Sequence, residues 1–87
     1  MRSVGFLFAD LMKRGRKSRQ LSLRELGRQS GFSIAYLSEI ERGLKMPTRR
    51  TVETIAAELQ IDGKEACEAA LSDVRARAAR AWCRAND

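Results

Sequence analysis

Between Gly31 and Gly43 the chain carries side chains suited to recognition. Ser33 can cap a helix there, and Leu37 and Ile40 mark its inward side. At about 100° per residue, Ala35, Ser38 and Arg42 then point away, with Ile34 and Glu39 on the flanks. Ser33, Ile34, Ala35, Ser38 and Glu39 together offer apolar contact, two hydroxyl hydrogen bonds and one carboxylate acceptor. Catalysis is harder to assemble. The chain has no histidine, no glycine-rich phosphate loop and no nucleophile constellation, and its carboxylates are mostly accounted for as helix caps or ion pairs.

Capped helices must position that face. Ser22 followed three residues later by Glu25 is a capping box: the hydroxyl accepts from the third helical amide while the carboxylate reaches back to the Ser22 amide. Leu23 and Leu26 are the apolar contacts of this first helix, and Gly27 leaves room for another helix to cross closely. Gly31 supplies a turn, and Ser33 then starts a second helix in which Tyr36, Leu37, Ile40 and Leu44 recur at helical spacing as an expected buried stripe. Gly43 ends it and Pro47 fixes the following loop. Thr48 can cap a further helix with Val52, Ile55, Ala56 and Leu59 at i, i+3, i+4 and i+7.

Asp62 with Glu65 forms another capping box, followed by a proline-free, alanine-rich stretch over residues 64–84 that predicts one long helix. Cys67, Leu71, Val74, Ala78, Ala81 and Ala85 recur along it at spacings of 4, 3, 4, 3 and 4, with Trp82 beside the stripe. Either the stripe packs on its own domain, or it meets a partner chain. A helix of about twenty residues outreaches so small a core, which favours a partner along at least half of it, with Cys67, Leu71, Val74, Ala78 and Trp82 as the dimerisation candidates. Residues 1–62 are thus expected to form the recognition domain, and residues 63–87 a dimerisation element of that domain.

Charge narrows the class of partner. Eighty-seven residues with 44% hydrophobic and 32% charged content make one globular domain, and a net charge of +6 points to a polyanion. Most of the excess lies early: residues 1–21 hold six Lys or Arg against Asp10 alone, whereas residues 22–62 balance six against six. The run Lys13, Arg14, Arg16, Lys17 and Arg19 reads either as a solvated helix end, where cations suit the dipole, or as a set of phosphate contacts.

The segment resembles the helix-turn-helix family of phage Cro and lambda repressor, also called the xenobiotic-response-element family. The resemblance rests on Leu21 and Ser22, Glu25 and Leu26, Gly31, Phe32 and Ser33, Tyr36, Leu37 and Ser38, residues 40–43, Pro47 and residues 55–59; with Arg16 it spans roughly residues 8–61. It implies an all-α, five-helix domain that binds double-stranded operator DNA in the major groove as a homodimer and regulates transcription. It also implies that Arg16 pairs with Glu41, and that Ser33, Ile34, Ala35, Ser38 and Glu39 enter the groove.

None of these five can form the bidentate arginine–guanine or glutamine–adenine pair. Ile34 and Ala35 suit thymine methyls, the serines suit single hydrogen bonds, and Glu39 suits a cytosine amino group. Expected phosphate contacts are Lys13, Arg14, Arg16, Lys17, Arg19, Ser22, Arg24, Arg28, Arg42, Lys45 and Arg49. Two features depart from common family usage: Leu23 stands where many members carry glutamine, and the recognition helix opens on Ile34 and Ala35 where polar residues are common. The competing class is an adaptor that binds protein through this apolar face and DNA only without sequence preference.

The longest apolar run, residues 4–9, falls far short of the roughly 20 residues that span a bilayer and is shorter than a signal-peptide core, so a cytoplasmic or nucleoid-associated location is expected. It reads instead as the start of a first helix with Phe8, Leu11 and Met12 facing inward. Cys67 and Cys83 lie sixteen residues apart on one helix, about 24 Å, too far to pair within a chain. With no histidine, a zinc site is not expected, and neither is a cofactor or a small-molecule ligand.

Overall fold

Residues 6–85 are described in the structure, a computed structural model. Within them the chain forms five α-helices and no strand: α1 (Leu7–Ser18), α2 (Leu23–Ser30), α3 (Ile34–Glu41), α4 (Arg49–Leu59) and α5 (Gly63–Ala85). This is the all-α lambda-repressor-like arrangement the sequence implies. Val4 and Gly5 of the early apolar run lie outside the described residues, as does the side chain of Trp82.

Local chemistry sets three of the starts. The Ser22 hydroxyl accepts from the Glu25 amide at 3.0 Å, and the Ser22 amide donates to Glu25 Oε1 at 2.8 Å, completing the capping box. These bonds to Ser22 hold the Glu25 carboxyl below its ordinary value near 4.5, so the box is intact above that range and is lost as the carboxylate protonates in acid. Ser33 accepts from the Tyr36 amide at 3.0 Å and Thr48 from the Thr51 amide at 3.2 Å. Gly31, at φ +85°, terminates α2 in the left-handed conformation.

α1 starts differently. No local side chain caps it; Asp73 of α5 does, accepting from the Leu7 amide at 2.8 Å and the Phe8 amide at 3.0 Å through separate oxygens. Only 4% of Asp73 is exposed. A carboxylate buried to that degree is tolerated because two orphan amides and the positive end of a helix face it.

The α3 C-terminus closes in a Schellman turn, with Leu44 N–H on the Glu39 carbonyl at 2.8 Å and Gly43 N–H on the Ile40 carbonyl at 3.0 Å. Gly43 adopts φ +76°. This turn overrides the helical stripe expected to include Leu44. Past Gly43 the chain changes direction, and Leu44 is 65% exposed rather than buried.

One core joins all five helices: Phe8 and Met12 from α1, Leu26 from α2, Leu37 and Ile40 from α3, Val52, Ile55, Ala56 and Leu59 from α4, and Ala66 from α5. Leu11 and Leu23 pack against its edge. Gly27 lies against α3, where a β-carbon would stand 2.9 Å from the Phe32 carbonyl oxygen. A polar tie crosses the same interior, with Arg16 Nε and Nη2 on the two carboxylate oxygens of Glu41 at 2.9 and 2.7 Å and Arg16 Nη1 on the Leu21 carbonyl at 2.8 Å. The hydrogen bonds to Glu41 raise the arginine pKa further.

α5 is rotated by about 100°, one residue, from the orientation its apolar residues suggest. Ala66, Ala70, Asp73 and Arg77 face α1, α3 and α4, whereas the expected stripe lies one residue further along. Cys67 is half-buried, Leu71 and Val74 are 48% and 49% exposed, and Ala78, Ala81 and Ala85 are exposed. Small residues on the inner side let α5 approach closely, and the bulkier ones remain outside.

Two stability predictions follow from these ties. Asp73→Ala should lower the unfolding free energy by about 1–3 kcal/mol, the cost of a lost cap that leaves buried amides unpaired, and Asp73→Asn should recover part of it. Glu41→Ala should cost about 2–4 kcal/mol, because the arginine it leaves is 85% buried, side chain 15% exposed, with no counter-charge. Denaturant titration followed by circular dichroism measures both; losses under about 0.5 kcal/mol would contradict the assignments.

Candidate functional site

α3 is only eight residues long and could not persist alone, so its orientation is imposed from beneath by Leu37 and Ile40 and from one end by Arg16. What remains outward is the face expected from the sequence. Ser33, Ile34 and Ala35 are exposed at its start, and Ser38 and Glu39 are half-buried along its flank. Ile34 is 44% exposed, presenting an isolated apolar side chain to solvent.

Glu39 is not alone. Lys45 Nζ stands 3.8 Å from its Oε1 and also 5.8 Å above the Tyr36 ring, so the carboxylate and the cation hold one another beside the exposed face. Both side chains are about half exposed, which keeps the pair weak and open to exchange for another charged partner. Tyr36 in turn meets Thr51 through its hydroxyl at 3.2 Å and the Phe32 ring edge-on at 5.5 Å.

The basic residues separate into three sets. Arg42 and Lys45 are exposed at the end of α3, and Lys13 lines a shallow depression with Phe6, Glu41 and Arg42, which brings the α1 cation to the α3 side. Arg24 and Arg28 on α2, Lys17 on α1 and Arg49 on α4 are also exposed, the last pairing with Glu53 at 3.3 Å. Ser22 is exposed; its oxygen is used by the cap while its O–H remains able to donate.

The rest of the α1 cluster is not one patch. Arg14 is bonded to Asp10 at 2.9 Å, and Arg19 reaches Gln60 beyond the end of α4 at 2.8 Å. Arg16 leaves the set of phosphate contacts: its guanidinium is committed to Glu41 and the Leu21 carbonyl and is mostly buried.

Asp73 and Arg77 are the residues that sequence reasoning missed. Arg77 Nη2 donates to the Gly43 carbonyl at 3.0 Å, and its guanidinium lies 5.6 Å from the Phe6 ring centre. Their signal was present: Ala66, Ala70, Asp73 and Arg77 have the same 4, 3, 4 spacing as the stripe beside them. Between α4 and α5, Cys67, Leu71 and Val74 line an apolar groove of about 370 Å³ with Ala70 and with Pro47, Arg49 and Val52. Cys67 and Cys83 are free thiols. No helix among the described residues is long and apolar enough to cross a membrane.

Comparison with known proteins gives concordant matches. The family model described as a helix-turn-helix domain matches residues 7–69. The transcriptional regulator ClgR of Mycobacterium tuberculosis is 38% identical over 52 residues, which are 60% of this chain and 46% of that protein. The ImmF control region 10 kDa protein of Bacillus phage phi105 is 36% identical over 52 residues, covering 60% and 58%. The chain therefore spans about half the length of the curated relatives it matches.

Among solved structures, the biofilm regulator SinR in complex with DNA superposes with a TM-score of 0.64 at 31% identity, covering 69% of this chain and 97% of that one. ClgR of Corynebacterium glutamicum superposes over 97% of this chain and 90% of its own with a TM-score of 0.69, a likeness of fold at 24% identity. With the capped α2–α3 pair, the Gly31 turn and the Arg16–Glu41 tie in place, the chain belongs to the Cro- and lambda-repressor-like helix-turn-helix family.

Proposed function

We propose that this chain is a sequence-specific, DNA-binding transcriptional regulator that acts as a small homodimeric repressor, and that α3 is its reading helix. The observation that carries the reading is the outward face of α3: Ile34, Ala35, Ser38 and Glu39 stand clear of the core with Arg42 and Lys45 beside them. The description of ClgR as a transcriptional regulator, and the match to a 10 kDa protein of a phage control region, support a compact repressor of the kind found in phages, mobile elements and restriction or toxin–antitoxin cassettes.

In this reading the two jobs are divided by chemistry. Lys13, Lys17, Arg24, Arg28, Arg42, Lys45 and Arg49 neutralise phosphates and supply affinity without sequence preference, with Ser22 adding a hydrogen bond. Ile34 and Ala35 sense thymine methyls, Ser33 and Ser38 make single hydrogen bonds, and Glu39 accepts from a cytosine amino group. Glu39 must let go of Lys45 to do so, which frees the lysine for the backbone. Wrong registers leave the carboxylate facing phosphate, so it rejects sites as well as choosing them.

α5 supplies the dimer contact. Cys67, Leu71 and Val74 of its apolar stripe line the groove, Ala78 continues that stripe, and Trp82 lies beside it in sequence. The helix is acidic near its start, with Glu65 and Glu68, and basic near its end, with Arg80 and Arg84, a distribution that suits antiparallel pairing with a second copy. Two reading helices related by a two-fold axis would meet half-sites centred about 34 Å apart.

The apolar character of Ile34 and Ala35 also favours a second reading, a protein-binding adaptor, and salt separates the two. DNA binding should weaken steeply with ionic strength, and neutralising Arg42 or Lys45 should flatten the log–log slope by about one charge while weakening all sequences alike. Glu39→Ala should abolish discrimination at one base position. Shallow salt dependence and an unchanged base profile would favour the adaptor. Leu71→Asp or Val74→Asp should weaken dimer and DNA binding together; light scattering that finds wild type monomeric at tens of micromolar, with and without DNA, would overturn the dimer.

A further inference from the structure

We infer that Arg77 is a positioning residue for DNA contact, holding the turn between Arg42 and Lys45 at the height at which their side chains meet the backbone of bound DNA. The inference rests on the DNA-binding reading above. Its geometry stands apart from that reading. The turn at residues 42–45 has no core side chain of its own, since Leu44 is exposed and Gly43 has none. What holds it from behind is α5: Arg77 donates to the Gly43 carbonyl, the first one past the Schellman turn.

A second contact restrains Gly43 from its other side. The Phe6 ring fills the space over Gly43 so closely that a β-carbon there would overlap it, and the Arg77 guanidinium lies beside the same ring. Phe6 immediately precedes α1, whose first amides are held by Asp73, one helical turn before Arg77 on the same side of α5. Asp73 and Arg77 thus fix the start of α1 and the end of α3 to one rigid helix. Gly43, Lys45, Met46 and Pro47 line a common crevice with both of them.

Arg77 itself is mostly withdrawn from solvent, so its charge acts through the turn rather than on DNA directly. The same helix carries Leu71 and Val74 on the neighbouring face, where they line a groove with Pro47, so contacts made there by a second copy act on the same rigid helix that holds the turn. Loss of the guanidinium should let residues 43–45 drift, misplacing two cations and the Glu39–Lys45 pair together, while leaving the reading face of α3 folded.

The test uses the full chain with Arg77→Met, which keeps the aliphatic stem beside Phe6, and Arg77→Lys, which can still donate one hydrogen bond to the Gly43 carbonyl. Arg75→Met, removing an exposed charge two residues away, serves as the control. Amide hydrogen exchange and chemical shifts at residues 43–45 are measured on the free protein, and affinity for a duplex chosen by wild type from a random library is measured beside helix content and dimer fraction. Arg77→Met should perturb the turn amides and weaken duplex binding by about three- to thirtyfold at wild-type helix content and dimer fraction, with Arg77→Lys restoring most of it. Unperturbed turn amides, or a loss no larger than that of Arg75→Met, would overturn the inference. A wild-type protein that selects no duplex while the turn amides still respond would instead place the failure in the DNA-binding reading.

Discussion

The bidentate ion pair between Arg16 and Glu41 is the contact on which the presentation of α3 depends. An eight-residue helix gains too little from its own hydrogen bonds to choose an orientation, and Leu37 and Ile40 alone would permit it to roll about the core. Two parallel N–H···O bonds from a planar guanidinium remove that freedom at one end, and the third bond, to the Leu21 carbonyl, places the entrance of α2 in the same frame. The desolvation of both charges is offset because every bond is short and the partners are fixed on separate helices.

A second polar tie completes the frame from the opposite side. Asp73 substitutes for a missing local cap at α1 and draws α5 across the domain, while Arg77 carries that helix on to the end of α3. Hydrophobic burial makes the domain compact, but burial is indifferent to small rotations. The two carboxylates, Glu41 and Asp73, convert a collapsed set of helices into one with a defined outer surface. That surface carries a mixed apolar and acidic face on α3, cations around its rim and an apolar groove between α4 and α5.

Features governed by neighbours in sequence were readable from the chain itself. Ser22 with Glu25, Ser33, Gly31 and Thr48 act within four residues, so spacing alone located α2, α3 and α4 and identified their inward stripes. Arg16–Glu41 spans twenty-five residues and was expected only through the family resemblance. Asp73 lies 66 residues from Leu7, and its inward placement showed only in the second 4, 3, 4 series along α5, because a carboxylate on a charged helix otherwise resembles any solvated side chain. The α5 register failed for a related reason: ranking residues by hydrophobicity selects Leu71 and Val74, whereas close helix approach selects the alanines one position earlier. Leu44 was misplaced because the left-handed Gly43 ends the periodicity that its spacing continues. Arg14 and Arg19 belong to the basic run by sequence, but their guanidinium groups are taken up by Asp10 and Gln60.

The central claim is that α3 and its basic rim read DNA as part of a two-fold assembly. Selection of bound duplexes from a random library by the full chain at near-physiological salt tests it most directly, since affinity, base preference and symmetry are returned by one measurement. The account predicts an enriched pseudo-palindrome with half-sites one helical turn apart, each containing thymines and a cytosine. Recovery of no enriched sequence, or of a motif without two-fold symmetry, would contradict it.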